Sequence, residues 1–123
     1  MANPFCHVEL HTDDPGKATD FFGKLFDWKL EDMPMPNGTY TMIEVGGEGA
    51  TGGGIMQNPV PGAPSHWLAY VLVDDVTAST ERAQSLGATV LSEKTEVGGH
   101  GWFSVIQDPT GAALGLWQAA EQH

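Results

Sequence analysis

In the segment HVELHTDD, His7, Glu9 and His11 fall on alternate positions. A strand points successive side chains to opposite faces, so these three would share one face. Imidazole nitrogens and a carboxylate are ligands that zinc and related ions accept. Without a metal, a histidine beside a carboxylate can hold or move a proton near neutral pH. Spacing limits the first use. His11 lies about 13 Å along the strand from His7, so an undistorted strand cannot bring both to one ion. His7 with Glu9 alone leaves two ligands, which seldom hold a divalent ion tightly.

The elements that position these groups can be read from the rest of the chain. Its 123 residues suit one domain with one core, and 41% hydrophobic content is ordinary for a soluble protein. No apolar run has the length of a membrane span, and no basic-then-apolar leader is visible. The single cysteine, Cys6, excludes an internal disulfide framework, fits a reducing cytoplasm and reads as a buried inert thiol. Sixteen acidic residues against five basic ones give a net charge of −11, which opposes nucleic acid and anionic membranes. A neutral or cationic small molecule would meet no such barrier.

The chain is written twice. Thr12-Asp13-Asp14-Pro15 and Val73-Asp74-Asp75-Val76 stand 61 positions apart, and the same offset places Gly54-Ile55-Met56-Gln57 on Gly115-Leu116-Trp117-Gln118. Each half reads strand, helix, then three strands. Phe5 to Thr12 alternates as a strand. Asp13 or Asp14 can cap a helix beginning at Pro15, with Ala18, Phe21, Phe22, Leu25 and Phe26 as its buried stripe. Trp28 to Met33 and Thr39 to Val45 flank a Pro36-Asn37-Gly38 turn, and Thr51 to Gln57 closes the half. In the second half, His66 to Val73 is the strand. Asp75 caps a helix carrying Val76, Thr80, Ala83 and Leu86, which Gly87 stops. Strands at Thr89 to Ser92, Trp102 to Gln107 and Ala112 to Gln118 follow, the last two joined by the turn Asp108-Pro109-Thr110-Gly111. The proline-rich residues 58–64 form a linker between modules at about 4–57 and 65–118.

The doubled plan, the segments HVELHTDDPGKATDFFGKLFDW and WLAYVLVDDV, and the ending VIQDPTGAALGLWQ resemble the vicinal oxygen chelate superfamily. That superfamily includes glyoxalase I, extradiol dioxygenases, fosfomycin-resistance enzymes and bleomycin-resistance proteins. The resemblance covers nearly the whole chain and implies an α+β fold. Two βαβββ modules would form a glyoxalase-like curved mixed sheet with helices on its convex face. It also implies a homodimer and a cavity on the concave face. The features are specific for the fold and weak for any one activity.

Metal-dependent members take one ligand from the first and the last strand of each module. Those positions fall here on His7, Gly54, Leu68 and Gly115, of which only His7 can coordinate. His66 shares the face of Leu68 but lies about 6–7 Å further along. The expectation is therefore no metal and no other cofactor. The expected wall of the cavity comprises His7, Glu9, Gly54, Met56, Tyr70, Gly115 and Trp117, with His100 and Trp102 able to close over it from the Gly98-Gly99-His100-Gly101 loop. Gly54 and Gly115 either leave room for a ligand or have their space filled by Trp117, Met56 or an aromatic of a partner chain. Gly46-Gly47-Glu48-Gly49 has neither phosphate-binding fingerprint. The leading functional expectation is metal-independent binding of a small organic molecule in a sequestering or resistance-like role. A metal-dependent glyoxalase- or dioxygenase-like enzyme is the alternative, and a ligand-free structural or regulatory dimer the third.

Overall fold

The structure is a computed structural model that describes residues 2–35, 38–60 and 62–120. Element order follows the doubled plan: β1 (Phe5–Thr12), α1 (Pro15–Leu25), β2 (Lys29–Met35), β3 (Gly38–Glu44), β4 (Gly53–Gln57), then β5 (His66–Leu72), α2 (Val76–Ser85), β6 (Thr89–Val97), β7 (Gly101–Gln107) and β8 (Ala113–Ala119). The class is α+β with two βαβββ repeats, as expected. The predicted turn at residues 36–37 lies outside the described residues.

Contacts divide the chain into two compact units, one running from His7 to Leu68 and the other made of the residues outside that range. In the first, strands lie in the order β2-β3-β4-β1. β1 and β4 pair in parallel while β2, β3 and β4 pair antiparallel, so the sheet is mixed. Leu10, Ile43 and Ile55 are buried together on one face, where Ala18 and Phe22 of α1 and Trp28 and Leu30 cover them. In the second unit the order is β5-β8-β7-β6, again with one parallel pair, β5 with β8. Its core is Val73, Val76, Ile106 and Leu116, packed by Ala83, Ala88, Trp102 and Leu114.

Both helices begin where carboxylates can accept their first amides. Asp14 Oδ1 accepts from Lys17 N at 3.0 Å, and Pro15 follows at the first helical position. Asp75 Oδ1 accepts from Thr77 N at 3.0 Å and Ala78 N at 3.1 Å. Asp75→Ala should therefore destabilise the protein by about 1 kcal/mol, read as a lower midpoint in urea with unchanged slope. Helix α2 ends at Ser85 with Leu86 as its cap, after which Gly87 takes φ +104°, open to glycine at no steric cost.

Two expectations need correction. The stripe of α1 is narrower than its sequence pattern: Phe21, Leu25 and Phe26 are exposed, and only Ala18 and Phe22 reach the Leu10–Ile43–Ile55 core. One sheet face covers a single row of the helix, so residues at the edge of the apolar arc stay outside. β6 runs to Val97 rather than stopping near Ser92. Register shifts between Val90 and Ser92 and between Ser92 and Thr95 break its alternation, which hid the strand's true length in the sequence.

Candidate functional site

Register places the chemistry. In the first unit β1 and β4 pair Glu9 with Gly54 and His11 with Met56. β3 pairs Met42 with Gly54, and β2 pairs Met33 with Tyr40. Strand alternation sets all of these on the face opposite the one that α1 covers. His7, Glu9, Gly54 and Met56 thus share the face expected of them.

Tyr40 completes the site, and sequence reading missed it. Its hydroxyl donates to Glu9 Oε2 at 2.6 Å and lies 2.7 Å from His7 Nε2. Since the single phenolic proton goes to Glu9, His7 carries its proton on Nε2 and donates to Tyr40 Oη. On the other side His11 Nε2 donates to Glu9 Oε1 at 2.6 Å. The result is one continuous chain, His7–Tyr40–Glu9–His11. His7, its outer end, keeps 28% of its side-chain surface, whereas His11 and Glu9 keep 8% and 10%. His11 also meets His66 edge to face with ring centroids 5.1 Å apart, and His66 Nδ1 donates to Pro64 O at 2.8 Å. His11 therefore belongs to the network even though it cannot share an ion with His7: Glu9, midway between them, reaches both sides.

Burial alone would push the Glu9 carboxyl up. Hydrogen bonds from His11, His7 and Tyr40, with the nearby His11 charge, outweigh burial and hold it far below the ordinary carboxylate range. Glu9 is thus an ionised carboxylate at neutral pH, placed behind a tyrosine and a partly exposed imidazole. The nearer Glu9 oxygen lies 3.7 Å from His7 Nε2.

The two glycines do not leave open space. A Cβ at Gly54 would collide with the Tyr40 hydroxyl and ring, and one at Gly115 would collide with the Tyr70 ring. Each glycine is a seat for a tyrosine of this chain, so the space is filled as one reading expected but by Tyr40 and Tyr70, not by Trp117, Met56 or a partner's ring. The second unit pairs Tyr70 with Gly115 as the first pairs Glu9 with Gly54. Tyr70 contacts Phe103 edge to face at 6.2 Å, and Phe103 pairs with Trp117. Aromatic rings there replace the polar chain of the first unit.

His100 is exposed at the β6–β7 turn, where its amide donates to Val97 O and its carbonyl accepts from Ala120 N. Trp102 lies on the α2 side of its sheet, packed against the Val73–Val76–Ile106–Leu116 core with Lys94 Nζ 5.4 Å from its ring centre. Alternation along β7 explains this correction: Trp102 shares parity with Ile106, not with Phe103. Two shallow grooves open in the first unit, one along Ile43–Gly52 and one beneath Phe21 and Phe22. Neither is lined by His7, Glu9 or Tyr40.

The four positions that the resemblance assigns to a metal do not suit one. Gly54, Leu68 and Gly115 lack donor atoms, tyrosines occupy the space above both glycines, and His7 Nε2 is held by Tyr40. Among the described residues no group of three or more His, Cys, Asp or Glu is placed to hold a metal ion. Among them, too, no helix is long and apolar enough to cross a membrane.

Comparison with known proteins adds the family context. Residues 5–116 match the family model described as Glyoxalase/Bleomycin resistance protein/Dioxygenase superfamily. The chain is 39% identical over 115 residues to "Putative glyoxylase CFP32" of Mycobacterium tuberculosis (strain CDC 1551 / Oshkosh), covering 91% of this chain and 44% of that protein. It is 28% identical over 123 residues to "Anthracycline biosynthesis protein DauV" of Streptomyces sp. (strain C5), covering 89% and 45%. The chain thus spans less than half the length of these relatives. Among solved structures it resembles hypothetical protein BH1468 from Bacillus halodurans C-125, with a TM-score of 0.73, 13% identity and coverage of 100% and 99%. It also resembles methylmalonyl-CoA epimerase from Mycobacterium tuberculosis, with a TM-score of 0.71, 16% identity and coverage of 95% and 88%. At such identities the likeness is one of fold.

Proposed function

Because the chain belongs to the glyoxalase/bleomycin resistance protein/dioxygenase superfamily, we propose that it binds a small organic molecule without a metal, through the His7–Tyr40–Glu9–His11 chain. The observation that carries this reading is the continuity of that chain, from a buried ionised carboxylate to a partly exposed imidazole. Tyr40, itself held by Glu9, fixes the ring of His7, so the imidazole meets a ligand already oriented, which lowers the ordering cost of binding. The net charge of −11 favours neutral or cationic ligands.

A thermal-shift screen of EDTA-treated protein tests it. A compound that raises the melting temperature should do so equally before and after chelation. Its affinity should fall about tenfold in Tyr40→Phe, which deletes one hydroxyl, in line with the loss of a hydrogen bond to a charged network. Stabilisation that appears only when a divalent metal is restored would overturn the reading.

A second reading is proton-transfer chemistry in the manner of a lyase or isomerase. It is favoured by one feature, a partly exposed imidazole, His7, held through Tyr40 beside the ionised Glu9. Turnover lost in His7→Gln but restored in part by added imidazole would support it over binding alone.

A further inference from the structure

We propose that the sheet face of the His7–Leu68 unit opposite α1 is a platform for a planar aromatic cation, an inference that rests on the small-molecule reading above and names its ligand class. Cross-strand neighbours share a face. Met33 is paired with Tyr40, Met42 with Gly54, and Met56 with His11. Three of the chain's five methionines therefore lie on the sheet face that carries Tyr40, His7 and Glu9, one of them directly across from Tyr40. Met33 and Met42 are each 36% exposed, although the other face of β3 and of its neighbour β4 buries Ile43 and Ile55 almost completely. Methionines left at a surface keep a flexible, polarisable thioether free to mould itself to a flat π-system.

Charge selects among flat molecules. Glu31 pairs with Met42 on this face, and Glu44 pairs with Lys29 one step beyond it; all three charged residues are exposed. Glu9 adds an ionised carboxylate behind Tyr40. With Glu31 and Glu44 exposed against Lys29 alone, and Glu9 paired with His11 behind Tyr40, the face attracts a cation and repels an anion of the same shape. His7 and Tyr40 mark the polar edge and the thioethers the apolar floor.

Two tricyclic probes of opposite charge test this, proflavine as the cation and anthracene-2-carboxylate as the anion, each titrated by fluorescence into the full chain. Proflavine should bind saturably at one site and at least about tenfold more tightly than the anion. Met33→Ser/Met42→Ser should weaken proflavine about tenfold through lost thioether and apolar contact, while Met33→Leu/Met42→Leu keeps most of the affinity. Glu31→Gln should weaken it about threefold. Far-UV circular dichroism and melting temperature verify that each variant folds; if the serine pair does not, the leucine pair and Glu31→Gln decide. Equal binding of the two probes, or proflavine binding untouched by the methionine and Glu31 changes, would overturn the platform. Tyr40→Phe separates the two ideas. An effect of Tyr40→Phe with none from the methionines leaves the His7 network standing and removes the platform, and the converse keeps the platform while removing the network's contact with ligand.

Discussion

Glu9→Ala is expected to be among the most damaging single substitutions in the protein, lowering stability by about 3–5 kcal/mol. The carboxylate accepts from Tyr40 at one oxygen and His11 at the other; without it His11 loses its partner in a region that water barely reaches, and Tyr40 loses its acceptor. Leaving buried donors unmade carries the full desolvation penalty, which is larger than the net gain of an average hydrogen bond. The effect should depend on pH in a defined direction. The Glu9 carboxyl titrates lower in the folded protein than in the unfolded chain, where about 4.3 is ordinary. Unfolding therefore takes up a proton at acidic pH. The stabilisation is complete above the unfolded value and is lost as pH falls from there towards the folded one. Urea midpoints measured at pH 7 and pH 3 should converge for wild type and Glu9→Gln. Parallel curves would show that Glu9 is not the ionised centre of the network.

Gly54→Ala is the second change of large expected effect. The new methyl would occupy the place of the Tyr40 hydroxyl and ring, so the ring must leave its position against the sheet. Overpacking of this kind costs about 1–3 kcal/mol. Here it also breaks the Tyr40 bonds to Glu9 and His7, adding about 1 kcal/mol for each. Gly115→Ala makes the matching collision with Tyr70 but disturbs an aromatic cluster, so only the packing cost is expected. A double-mutant cycle checks the cause. Tyr40→Ser should damage the wild type yet partly rescue Gly54→Ala, giving less than additive loss. Strict additivity would place the harm of Gly54→Ala elsewhere, for instance in the β3–β4 pairing.

Much of this arrangement was legible before the structure. Alternation in HVELHT put His7, Glu9 and His11 on one face, and the 61-residue offset is kept by the structure, whose register pairs Glu9–Gly54 and Tyr70–Gly115 occupy matching places in the two halves. Local signals of this type depend on one strand at a time. Tyr40 was invisible because its place follows from the β3–β4 register, and no run of neighbours in the sequence states that register. A usable clue existed all the same: a tyrosine at the parity of Met42, in a strand facing two consecutive glycines. The role of His11 was lost by measuring its distance from His7 instead of from the carboxylate between them. For α1, apolar periodicity gave the helix correctly but overstated how wide a face the sheet could cover.

The seating of Tyr40 on Gly54 also constrains the history open to this chain. Position 54 is where metal-using relatives in the superfamily would carry a ligand, and any ligand residue brings a Cβ. Here that atom has nowhere to go while Tyr40 holds its place. A lineage starting from this sequence would have to shrink residue 40 first, dismantling the polar chain before a donor at 54 could be of use. The intermediate would have neither arrangement. A side chain at 54 and the tyrosine ring at 40 are thus alternatives for one space in this fold.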